Sequence, residues 1–100
     1  MATETVLHID TIISNSKIRS GRPVITGTGI CVSDIAAHHI FAGMSPEEIA
    51  VSYRLNLSQV YSALAYYYTN KSDIDDEIRQ SAKDADTFLQ ELRKQGKVIE

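Results

Sequence analysis

The chain predicts a mainly α fold: a small N-terminal β-strand or hairpin, a tri-helical, helix-turn-helix-like (winged-helix-like) core, and a long amphipathic C-terminal helix. Three observations carry that expectation. Met44 to Tyr68 reads as two short helices around a tight turn, the stretch before it is β-branched and Gly-rich, and apolar residues after Ser72 recur at alternating spacings of four and three. One hundred residues make a single domain with a modest core. Within it, residues 1–70 hold the strand or hairpin and the helix pair, and residues 71–100 form a helix that either folds back on the domain or extends to a partner.

Taken in order, Val6-Leu7-His8-Ile9 and Thr11-Ile12-Ile13 are apolar and β-branched enough for one strand. Asn15 to Ser20 then turns the chain. Lys17, Arg19 and Arg22 are the densest basic cluster before the C-terminal third, and read either as a solvated loop or as a phosphate-contacting arm beside the helix pair. Val24-Ile25 and Ile30-Cys31-Val32 are strand-like, and Gly27-Thr28-Gly29 between them permits positive φ, so a small hairpin is expected. The glycines lack both the Lys-Ser/Thr ending of a P-loop and the third Gly of a dinucleotide fingerprint.

Ser33 or Asp34 is placed to cap a helix carrying Ile35, Ala36, His39 and Ile40, with Gly43 as its C′ stop. His38 and His39 are adjacent and so point about 100° apart. One should meet solvent and the other the core, and with His8 and Cys31 they give no metal-ligand spacing, so neither a metal nor another cofactor is expected.

The helix pair has a complete start signal. Ser45 is the N-cap, Pro46 fills the first helical position, Glu48 completes a capping box, and Met44 and Ile49 form a hydrophobic staple. Ile49, Ala50 and Tyr53 give the first helix its apolar face, and Val60, Leu64 and Tyr67 give the second, with Leu55 and Leu57 between them and Ser58 as second N-cap. The turn holds Arg54 where such motifs favour Gly. From Ser58 to Asn70 there is no Lys or Arg, so Gln59, Tyr61, Ser62 and Tyr66 are what this helix offers to bases or phosphates.

In the C-terminal helix, Ser72 is a cap candidate, and Asp73, Asp75 and Asp76 suit the first turn. Ile74, Ile78, Ser81, Ala85, Phe88 and Leu92 form a stripe that Ala82 and Leu89 broaden, and Gly96 is the stop after Arg93 and Lys94. Ile78, Phe88, Leu89 and Leu92 are the candidate partner contacts. Three short helices have little area to cover so long a stripe, and Tyr61, Tyr66, Tyr67 and Tyr68 cannot all face inward.

A formal charge of −3 gives no broad positive field, so nucleic-acid binding would need a local patch or one doubled by symmetry. No stretch resembles a signal peptide or spans a membrane, and Cys31 is the single cysteine, so a cytoplasmic protein without an internal disulfide is expected. No nucleophile, base and oxyanion group assemble, and no enzyme is expected.

Gly21-Arg22-Pro23-Val24-Ile25, Gly27-Thr28, Ile30 and Val32, then Gly43, Ser45 and Glu47-Glu48-Ile49, then Leu57-Ser58, Ala63-Leu64 and Tyr66 or Tyr67 occur in order. In this the chain resembles the domain-of-unknown-function-433 family over about Leu7 to Tyr68. The resemblance implies a helix-turn-helix-like antitoxin of a type II toxin–antitoxin module, which neutralises a PIN-like ribonuclease toxin and represses its own operon. Gly29 departs from the family pattern, which has Arg after Gly-Thr, and so removes a cation suited to phosphate or carboxylate. The expectation is a homodimer that binds its cognate ribonuclease and, as a second role, operator DNA through Arg22, Gln59, Tyr61, Ser62 and Tyr66, supported by Lys17 and Arg19. The other reading is an interaction adaptor of the same fold that binds no DNA.

Overall fold

The computed structural model describes residues 3–5 and 11–94. Its elements are β1 (Ile12–Ile13), a 3-10 turn (Arg19–Gly21), β2 (Val24–Ile25), α1 (Val32–Ile40), α2 (Pro46–Tyr53), α3 (Leu57–Thr69) and α4 (Lys71–Lys94). The architecture is mainly helical with a two-stranded antiparallel N-terminal hairpin and a long final helix. Val6–Ile9 and Gly96 lie outside the described residues.

Ile12 pairs with Ile25 and Ile13 with Val24. The Ile30–Val32 segment was expected as a strand, yet it contributes only a bridge from Cys31 to Val24, and Val32 already begins α1. The reason lies in the main chain. Val32 N donates to Pro23 O at 2.9 Å, which pins the start of the helix one residue before Ser33. Cys31 is therefore the N-cap and no side chain caps α1, correcting the expectation for Ser33 or Asp34. In the reversal before it, Thr28 N donates to Ile25 O at 3.0 Å, and Gly27 has φ +79°, a value that residues with a Cβ rarely adopt.

Between the strands, Arg19, Ser20 and Gly21 all have positive φ, forming one left-handed turn. Two non-glycine residues there cost about 1–2 kcal/mol each. Ser14 Oγ, donating to Gly21 O at 2.6 Å, and Arg22 N, donating to Arg19 O at 3.2 Å, hold the turn closed.

α1 ends at Ile40, and Gly43 (φ +70°) lies in the link beyond its C-cap Phe41, not next to the helix. His39 Nδ1 lies 2.8 Å from Met44 O, and His38 Nδ1 2.8 Å from Asp34 O and 3.2 Å from Tyr53 Oη. Both imidazoles are half-buried, so the expected division between solvent and core does not occur. α2 starts with the full Ser45–Glu48 capping box, and Pro46 is its first residue. Its C-cap is Arg54 at φ +57°, a conformation that usually selects Gly.

That left-handed residue brings the next helix in early. Asn56, not Ser58, is the N-cap of α3, and Gln59 closes its capping box. Leu57 consequently falls in the first turn and is exposed, while Val60, Ala63, Leu64 and Tyr67 face inward. Asn70 alone separates α3 from α4. Since α4 begins at Lys71, Ser72 lies inside its first turn and does not precede it as a cap. The core joins Ile25 of β2 to Val32 and Ile35 of α1, Ile49 of α2, Val60 and Tyr67 of α3, and Ile74 of α4. Met44 and Ile78 pack against its edge.

Candidate functional site

The cations of the N-terminal loop are turned onto the chain itself. Arg19, in its left-handed conformation, donates Nε to Cys31 Sγ at 3.3 Å and sets Nη2 3.8 Å from Asp34. Arg22 donates Nη1 to Ser81 Oγ at 3.0 Å, tying the loop to α4 across 59 positions of sequence. Lys17 is exposed at the tip, where its main-chain N–H donates to Asn15 Oδ1 at 2.9 Å.

The nucleic-acid candidates on α3 fall on two flanks. Gln59, Ser62 and Tyr66 lie on the side towards β1, where Ser62 and Tyr66 line a shallow depression with Ile12, Ala65 and Thr69. The Gln59 carboxamide oxygen accepts from Asn56 N at 2.9 Å and is occupied by the cap. Tyr61 lies on the other flank, half exposed, with its hydroxyl donating to Glu47 Oε1 at 3.4 Å. Arg19 and Arg22 thus point to α1 and α4, whereas the α3 candidates face β1 or α2.

The partner candidates divide along α4. Ile78 packs against the core, in a cleft shared with Ser33, Ala37 and Ala82. Phe88 and Leu89 are 60% and 46% exposed, and Leu92 is half-buried. No helix among the described residues is long and apolar enough to cross a membrane.

Two polar clusters line the near half of α4, and periodicity points to neither. Tyr67 Oη donates to Asp75 Oδ1 at 2.8 Å, and Lys71 Nζ sits 2.7 Å from the other carboxylate oxygen. The hydrogen bond from Lys71, then that from Tyr67, lowers the Asp75 pKa, while burial raises that of Tyr67. Two residues on, burial pushes the Glu77 pKa up, the nearby Arg22 charge offsets part of the push, and Oε2 has no hydrogen-bond partner. The Asn56–Gln59 box, in contrast, carries a three-residue spacing in the sequence that the choice of Ser58 as cap overlooks.

The family model described as protein of unknown function (DUF433) matches residues 12–67. It covers the span from β1 through Tyr67 of α3 and stops short of α4. No curated protein and no solved structure matches the chain.

Proposed function

The chain belongs to the DUF433 family, and from that premise we propose that it is a non-enzymatic, antitoxin-like binding protein that neutralises a PIN-like ribonuclease through the outer half of α4. One observation carries the reading: Phe88 and Leu89 stand exposed on a helix whose first half is packed. Leaving a large apolar side chain in water forgoes roughly 1.5–3 kcal/mol of burial, which docking on another protein recovers. Operator binding is a second role, and a homodimer would double its few basic contacts.

The adaptor reading, with no DNA contact, is favoured by a separate observation. α3 carries no Lys or Arg, Tyr61 leans on Glu47, and Arg19 and Arg22 are engaged within the chain, so few counterions would be released from a duplex. Co-expression with the product of the adjacent reading frame tests the first reading, the expected result being co-purification and loss of ribonuclease activity. A gel shift on upstream DNA over a salt series separates the two. Binding that weakens with salt supports the operator role, and no shift at low salt removes it.

A further inference from the structure

Glu77, Asp84 and Glu91 recur at a seven-residue spacing and so form one row along a flank of the Ile78, Ala85 and Leu92 stripe. The other flank mixes signs, with Asp75, Arg79, Asp86 and Arg93. At the packed end of the row a cation is already in place: Arg22 comes across from the N-terminal loop, bonds Ser81, and lies close enough to act on Glu77. Further out, no other element among the described residues supplies one. Asp84 accepts from Gln80 Nε2 of its own helix at 2.9 Å, and Glu91 has no hydrogen bond or ion pair among the described residues.

Resting on the partner-binding role proposed above, we infer that the outer half of α4 docks in an apolar groove of another protein with Lys or Arg along one rim, spaced about 10 Å apart to meet Asp84 and Glu91. Phe88 and Leu89 fill the groove, and the acidic row fixes which way the helix lies in it. A second copy of the chain is a poor occupant. Antiparallel pairing sets the acidic row against itself, and parallel pairing sets Asp84 against Leu89, so neither orientation brings a cation to the row.

The test titrates the full chain against the purified product of the adjacent reading frame at low and high salt. D84K/E91K should weaken binding about tenfold or more at low salt, with a smaller loss at high salt. D76K/D86K makes the same change of net charge on the back and opposite flank and should stay within about threefold of the parent. F88A should also weaken binding about tenfold, and all three variants should melt like the parent. If D84K/E91K binds as tightly as the parent while F88A does not, the groove has no basic rim and the inference falls, with the partner role intact. No binding by the parent chain overturns both, and a parent dimer that F88A dissociates gives the stripe to a second copy and overturns the inference.

Discussion

From Lys71 to Ser81, α4 is a packed helix: Ile74 is 1% exposed, Tyr67 and Lys71 hold Asp75, and Arg22 reaches over to Ser81. From Lys83 to Lys94 the same helix, with the same apolar repeat, is held by its own backbone and leaves Phe88 in solvent. Ile74 and Phe88 occupy equivalent places in the repeat, so sequence periodicity cannot explain the difference. Length can. α1 has nine residues and α4 has 24, so at 1.5 Å per residue about 13 Å of neighbour lies against about 36 Å of helix. Past its neighbour's end the stripe runs on with no other described element to cover it.

The largest effect that tests this contrast is at its packed end. Ile74→Ala should cost about 2–4 kcal/mol in urea unfolding, because a fully buried side chain leaves a cavity. Next is Glu77→Gln. Burial raises the Glu77 pKa, so at neutral pH the ionised carboxylate weighs against the fold, and the uncharged amide should shift the urea midpoint upward. The parent should correspondingly gain from protonation of Glu77 as pH falls through that raised value.

Asp75 works in the opposite sense. Its pKa is lowered, so its contribution is complete above the unfolded value of about 4 and is lost as pH falls through the lower folded one. Melting curves in acid should fall less steeply for Asp75→Asn than for the parent. The smallest effect belongs to the free end: Phe88→Ala should change stability by less than about 0.5 kcal/mol. A loss there equal to that of Ile74→Ala would erase the distinction between the halves. Hydrogen exchange offers a mutation-free check, with amides beyond Ala85 expected to exchange much faster than those near Ile74.

What could be read from the residues was local. Ser45, Pro46 and Glu48 announce α2 because a cap is settled within four positions, and the inward faces of α2 and α3 follow from helical spacing. Ser58 was the wrong cap because the left-handed Arg54 shortens the turn and lets Asn56 open α3. The pairing of β1 with β2 and the reach of Arg22 to Ser81 join distant segments, and nothing in either segment announces the other. For the candidate site, the stripe was visible but not where cover ends along it. Gly29 is a subtler case: it has no positive φ, and a Cβ there would meet nothing within 4 Å, so neither backbone nor packing bars a longer side chain.

The single residue between α3 and α4 has a mechanical consequence. Asn70 ties itself down twice, its main-chain N–H reaching Tyr66 O and Tyr67 O at 3.0 and 3.1 Å and its side-chain amide donating to Tyr66 O at 3.1 Å. With an arm of about 36 Å beyond it, a tilt of only about 10° at this corner would swing the tip by about 6 Å. The position of Phe88 is therefore set at this corner and by the packed turns that follow it, well before the exposed end is reached.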